Sequence, residues 1–258
     1  MKTQSDSLQR VVRLFLALVL FAALPFYALA QTTTAKSPNV DVDELLKETQ
    51  RSVSGGNAIG IVWWIPTEFW EASAIGQGAT PENAKQTFDS LRQYTIVGVA
   101  AGKMGIGSVN WDSENDVRAN TVIRDSSGVN YKALTEISSD AQGLLSVMKP
   151  VLTNVLGPMG QNFQFLVFPA KTAAGNIIAD PTKSGSFSVV ITDLLGPKES
   201  LFDWRLPLTS LSPQKFCPVG HERVQADWKF CPWHGVKLDE AVVAPALVEP
   251  AKPKSANP

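Results

Sequence analysis

Short apolar runs alternate along the chain with polar, turn-rich stretches, and most of the runs are too short for helices. Residues 58–65 form a compact run with two tryptophans, closed by Pro66, and predict a buried strand. Residues 96–101 predict another. Beyond Gly107, strands are expected at 108–111, 117–124 and 130–134. The turns between them read Asp-Ser-Glu-Asn-Asp and Asp-Ser-Ser-Gly. Residues 163–168 and 187–192 continue the series. In the second, Phe187, Val189 and Ile191 alternate with Ser186, Ser188 and Val190. Between them, residues 173–184 are turn-rich, with Gly175-Asn176 and Asp180-Pro181.

Three segments carry helical signals. Residues 41–53 open with Asp41, Asp43 and Glu44 and end near Arg51, the charge order that suits a helix dipole. Ser54-Gly55-Gly56 stops them. Thr80-Pro81-Glu82 supplies a hydroxyl cap and a proline at the first helical position. The helix it opens runs to about residue 94, with Ala84, Phe88 and Leu91 on one face. A third helix, capped by Ser139, carries the stripe Leu144, Leu145, Met148, Val151, Leu152, Val155 and Leu156, and Gly157-Pro158 stops it. Pro150 lies inside that stripe and predicts a kink or two short helices. The expected fold class is α+β: a β-sandwich-like body over residues 41–210 with packed helices. Two mixed layers are the alternative, because helices and strands interleave before residue 105.

The chain ends follow other patterns. Lys2, Arg10 and Arg13 precede an apolar run over 14–24, Pro25 breaks it, and Ala28-Leu29-Ala30 offers a small-x-small cleavage site. Residues 1–30 therefore predict a signal peptide, with the mature chain starting at Gln31 in the periplasm or outside the cell. An uncleaved anchor is the alternative; the 17 residues from 14 to 30 include a proline and stand at the short limit for a membrane span. After cleavage the protein is expected not to be integral to a membrane. Residues 31–40 are polar and unpatterned, a flexible N-terminus. Residues 239–258 hold four prolines without periodicity, a disordered Pro/Ala-rich tail.

Composition narrows the function classes. The 258 residues are 44% hydrophobic and 18% charged, which excludes wholesale disorder. Twenty-three basic against 24 acidic residues leave no electrostatic footprint for nucleic acid. Two cysteines are too few for a disulfide scaffold.

Chemistry concentrates in one place. Both cysteines and both histidines fall within 18 residues, in Phe216-Cys217-Pro218-Val219-Gly220-His221 and Phe230-Cys231-Pro232-Trp233-His234-Gly235. From 216 to 238 the chain resembles a zinc ribbon, whose metal-binding knuckles read Cys-Pro-x-Cys-Gly and are joined by a short hairpin. The resemblance implies a small C-terminal module over residues 211–238. Thiolate and imidazole ligands suit tetrahedral zinc, and the expected set is Cys217, His221, Cys231 and His234. Four protein ligands leave no open position, so such a zinc is structural. The pattern departs from the ribbon in having one cysteine per knuckle. His234 takes the second thiolate's place in one, while Gly220 occupies it in the other, with His221 one residue later. A Cys217–Cys231 disulfide is the competing reading for an exported chain.

Other motifs fail on chemistry. Gly98 to Met104 lacks the spacing and the hydroxyl of a phosphate-binding loop, and His221-Glu222-Arg223-Val224-Gln225 lacks a second metal ligand. Asp112-Ser113-Glu114-Asn115-Asp116 lacks the glycine and the closing glutamate of a calcium loop and reads as a solvated turn. No Gly-x-Ser-x-Gly elbow occurs, and no catalytic residue is assigned. Trp63, Trp64 and Trp70 could line a groove but suit a core better. Trp228 and Trp233 are expected to cover the module's core. The expectation is an exported, non-enzymatic structural or binding protein of the cell envelope, with an envelope protein or glycan as partner. Alternatives are an envelope hydrolase using carboxylates such as Glu68, Glu71 or Asp112, and a redox role for the module.

Overall fold

A computed structural model describes residues 40–196, 198–212, 215–225 and 228–238. The expected signal peptide, the N-terminal stretch apart from Val40, and the tail lie outside them.

Helix α1 (Val42–Thr49) starts where Asp41 caps it, its carboxylate accepting from the N–H groups of Asp43 and Glu44 at 2.9 and 3.1 Å. It is shorter than the charge pattern predicts. Strand β1 (Gln50–Gly55) follows at once, because pairing with β2 (Ala58–Trp64) from Gln50↔Trp63 to Gly55↔Ala58 outweighs local helical preference. Gly56, at φ 59°, lies in the connecting turn. β3 (Tyr94–Met104) pairs with β2 along one side. Its other side is shared by β7 (Gln164–Pro169) and the short β4 (Val109–Trp111), completing a five-stranded antiparallel sheet.

A second antiparallel sheet has the order β6 (Asn130–Lys132), β5 (Thr121–Asp125), β8 (Gly185–Thr192), β9 (Glu199–Leu206). In β9 the residues Phe202, Trp204 and Leu206 turn inward while Glu199, Leu201, Asp203 and Arg205 stay out. The Trp64 ring lies 4.9 Å from Phe187 and 6.3 Å from Trp204, joining the sheets through one core. Its neighbour Trp63 faces the other way, 4.9 Å from Phe69 of α2 (Thr67–Gly76) and 6.3 Å from Phe163. The five-stranded sheet is thus covered on both faces, which is why both tryptophans are buried. The fold is α+β, two antiparallel sheets with packed helices.

Thr49 joins the layers. Its hydroxyl accepts from Trp63 Nε1 at 3.1 Å, and its carbonyl accepts from Trp204 Nε1 at 3.2 Å.

Several elements differ from the sequence expectations. The turn expected at 112–116 instead opens α4 (Glu114–Asn120): the Ser113 hydroxyl accepts from Asp116 N–H, and the strand begins only at Thr121. α3 (Pro81–Phe88) is capped by Thr80 as expected but gives way to a 3-10 turn at Asp89–Leu91. α5 (Ser139–Leu156) is capped by Ser138, one residue early, and runs through Pro150 as one helix. Pro150 and Ser146 are both exposed, so water can serve the Ser146 carbonyl that proline leaves without a partner. Gly157, at φ 58°, separates α5 from α6 (Pro158–Gln161). No described helix is long and apolar enough to cross a membrane.

The C-terminal module has its own small core of Cys217, Val224, Cys231 and Leu238, with Trp228 and Val236 packed against it. β10 (Lys215–Phe216) and β11 (Arg223–Val224) pair within it. Helix α1 links it to the body through Glu44, which pairs with Arg223 at 2.9 Å, while the Glu48 carboxylate accepts from the N–H groups of Thr209 and Ser210, just before the module, at 2.9 and 3.0 Å.

Candidate metal centre

The two Phe-Cys-Pro segments fold into equivalent turns. His221 N–H donates to the Cys217 carbonyl at 2.9 Å, and Gly235 N–H donates to the Cys231 carbonyl at 2.8 Å. Each turn is closed from the other side, Cys217 N–H to Glu222 O and Cys231 N–H to Val236 O, at 2.9 and 2.8 Å. The flanking pairs Phe216↔Arg223 and Phe230↔Lys237 also correspond. At the fifth position of each turn the backbone is left-handed, φ 57° at His221 and 64° at Gly235. In this register His234 matches Gly220, His221 matches Gly235, and Glu222 matches Val236.

That correspondence explains the side chains that converge. Cys217 Sγ, Cys231 Sγ, a Glu222 carboxylate oxygen and a His234 ring nitrogen all lie within 4.8 Å of one another. His221 stands outside this group, because it fills the left-handed position that glycine fills in the second turn. Glu222, the next residue, reaches in where the sequence reading placed His221. The two thiols are buried and free.

Four of the six distances among these atoms match the edges of a tetrahedral site. His234 Nδ1 lies 3.3 Å from Cys217 Sγ, 3.5 Å from Cys231 Sγ and 3.1 Å from Glu222 Oε1, and Cys231 Sγ lies 3.3 Å from the same oxygen. Zinc bonds of about 2.3 Å to sulfur and about 2.0–2.1 Å to nitrogen and oxygen make tetrahedral edges of about 3.5 Å from sulfur to nitrogen or oxygen and about 3.3 Å from nitrogen to oxygen. The observed edges agree to within a few tenths of an ångström. The thiols carry protons of their own, and Cys231 Sγ donates to Glu222 Oε1 at 3.3 Å, so hydrogen bonds link the metal-free groups; a central cation would take all four as ligands at once.

Gly220 makes room for it. A Cβ there would lie 1.9 Å from Glu222 Oε2 and 2.6 Å from His234 Cε1. The Glu222 carboxyl is held below its ordinary range by its own backbone N–H, with help from the Cys231 and Cys217 thiols and from His234. Burial pushes the Cys231 thiol up, so a metal that takes the thiolate must expel a proton.

Comparison with protein-family models, curated proteins and solved structures finds no match.

The other candidate residues are placed as follows. Glu68 and Glu71 of α2 both pair with Arg92, Glu68 at 3.4 Å. Glu68, Arg92 and Asp180 line a cavity of about 350 Å³. Burial pushes the Glu68 carboxyl up, against its own N–H and Arg92. Burial also opposes ionisation of Asp180, but hydrogen bonds from Thr182 and Lys183 outweigh it and pull that carboxyl down. Asp112 follows β4 and donates its N–H to Ala101, whereas the cavity borders Thr95 at the other end of β3. Six residues of strand separate those levels, about 20 Å, so Asp112 does not act with Glu68. Trp63, Trp64 and Trp70 are 3%, 1% and 1% exposed and belong to the core, Trp64 also bordering the Glu68 cavity. Trp228 packs on the module's core as expected, but Trp233 is 63% exposed and covers little of it.

Glu222 escaped the sequence reading because Cys-x3-His spacing drew His221 in as the ligand. The signal that finds it is the alignment of the two turns: a residue opposite Gly235 must be left-handed, and the next one faces back.

Proposed function

We propose that this chain is an exported, non-enzymatic structural or binding protein of the cell envelope. Its C-terminal module is held shut by one structural zinc ion on Cys217, Glu222, Cys231 and His234. The observation that carries the metal is the convergence of four ligand atoms, from Cys217, Glu222, Cys231 and His234, all within 4.8 Å of one another, with His234 Nδ1 3.1–3.5 Å from the other three. Two thiolates, an imidazole and a carboxylate form a set suited to zinc, and it leaves no position open for substrate. The apolar segment and small-x-small site at the N-terminus support export.

Native mass spectrometry with and without reductant tests this. One zinc per chain adds about 63 Da net of displaced protons, and a Cys217–Cys231 disulfide instead lowers the mass by about 2 Da. In Cys217→Ser the zinc is lost and the module unfolds while the body stays folded. Retention of zinc by that variant sinks the assignment.

A carboxylate hydrolase is the second reading, favoured by Glu68 and Asp180. They share one cavity and are pushed in opposite directions, as an acid and a base would be. Turnover of peptidoglycan that Glu68→Gln abolishes would replace the first reading.

A further inference from the structure

A second feature of the module concerns its outer surface. Between α1 and the module lies a shallow cleft of about 430 Å³, lined among others by Glu44, Lys47, Arg223, Gln225, Trp228 and Trp233. The volume falls within the range of small-ligand sites, about 300–1,000 Å³. The indole of Trp233 lies 5.7 Å from that of Trp228 at an interplanar angle of 61°, and most of its surface stays open to solvent. An apolar ring of this size left uncovered beside a partly buried one makes a platform.

We infer that this cleft binds a neutral glycan, with a sugar ring stacked on Trp233 and its hydroxyls on the charged rim. The chemistry of the wall selects that class. Glu44 accepts hydrogen bonds, Lys47 and Arg223 donate them, and Gln225 does both. Sugar hydroxyls likewise donate and accept, and the C–H face of a pyranose suits an indole face. The wall carries both signs, Glu44 paired with Arg223 at 2.9 Å, and Glu48 and Lys47 also lining it, so neither a polyanion nor a polycation gains from the whole wall. A purely apolar ligand would leave those groups without water or partner.

The platform is pre-organised by the metal centre, and in this respect the inference rests on the zinc reading. Trp233 sits between Cys231 and His234, two of the four ligands, and follows Pro232. A cation that fixes both neighbours fixes the backbone that presents the ring. The order is met before a ligand arrives, which lowers the cost of binding. The metal never touches the glycan. Its loss weakens binding only by loosening the platform.

The test uses the purified protein, chitotetraose as soluble probe and chitin beads as insoluble probe, with zinc content followed by native mass spectrometry. Zinc-loaded protein is expected to co-sediment with chitin and to bind chitotetraose saturably, with a change in tryptophan emission. Trp233→Ala is expected to lose at least tenfold in affinity while keeping one zinc per chain, and removal of zinc from the wild type is expected to weaken binding likewise. The inference is overturned if Trp233→Ala binds as tightly as the wild type, or if loaded wild type binds neither probe. It is also overturned if a synthetic peptide of residues 239–258 fills the cleft and glycan does not, which makes the site a seat for the chain's own tail. Trp233-dependent glycan binding by a protein that holds no zinc would remove the metal reading and leave the cleft standing.

Discussion

Exchanging His221 for glycine is expected to spare the metal centre, and exchanging Glu222 for alanine to weaken it. His221 holds φ 57° where its counterpart Gly235 holds 64°. A non-glycine residue in the left-handed region costs about 1–2 kcal/mol. Glycine removes that strain, but it also frees the unfolded chain by about 0.5–1 kcal/mol. His221→Gly should therefore leave the module as stable as before or up to about 1.5 kcal/mol more stable, with zinc affinity unchanged. Glu222→Ala removes a carboxylate oxygen 3.1 Å from His234 Nδ1 and 3.3 Å from Cys231 Sγ. Loss of an outer-shell partner alone typically costs about 10–100-fold in metal affinity, and loss of a ligand should exceed that. Competition with a chromophoric chelator gives both affinities, and tryptophan emission during urea unfolding gives the stability. If His221→Gly loosened zinc tenfold or more while Glu222→Ala held it at wild-type strength, the register drawn between the two turns would be wrong.

Further outcomes follow from single contacts. Gly220→Ala places a methyl 1.9 Å from Glu222 Oε2 and 2.6 Å from His234 Cε1, so it should lower zinc affinity at least tenfold without changing any ligand; unchanged affinity in the chelator assay would contradict the packing. Thr49→Val strands Trp63 Nε1 in the core and should cost about 1–3 kcal/mol in urea unfolding while zinc content stays the same. Asp180 has a carboxyl pulled below its ordinary value, so its stabilising contribution is complete above the usual aspartate range and is lost as pH falls through the depressed one. The stability gap between wild type and Asp180→Asn should therefore be widest near neutral pH and close in acid, and a gap that widened in acid would show the sign to be wrong.

What could be read from the sequence depended on whether the signal was local. Caps and breakers are local: Thr80 before Pro81 and the Gly157-Pro158 stop appear as expected, and Asp41 starts α1. Strands whose residues alternate, such as β8, were legible for the same reason. β1 was not, because its residues are polar and lack alternation; the hairpin that makes them a strand, closed by Gly56-Asn57 against β2, was masked by the helix-like charge order ahead of it. The burial of both Trp63 and Trp64 follows from covering a sheet on two faces, which a strand in isolation does not announce. In the module, the ligand-rich segment was plain from the clustering of rare residues. The place of Glu222 in the cluster was not, since it turns on the sign of one φ angle at His221.

The same geometry favours the proposed metal over a disulfide as the module's staple. Two of the four buried residues in its core are cysteines, so that core cannot be independent of what joins them. A disulfide brings the sulfurs to about 2.05 Å and consumes both, leaving Glu222 and His234 aimed at a point with nothing to hold. It would also make Gly220 unnecessary, since that glycine clears space for the carboxylate and the imidazole and not for the sulfurs. A cation uses all four groups at once and gives Gly220 and the left-handed fifth position a common reason. The second turn meets the demand with histidine then glycine, and the first with glycine, a strained histidine and a glutamate that arrives one residue late. The asymmetry is what a four-ligand site looks like when one turn supplies two ligands in the ribbon's pattern and the other must reach for its second.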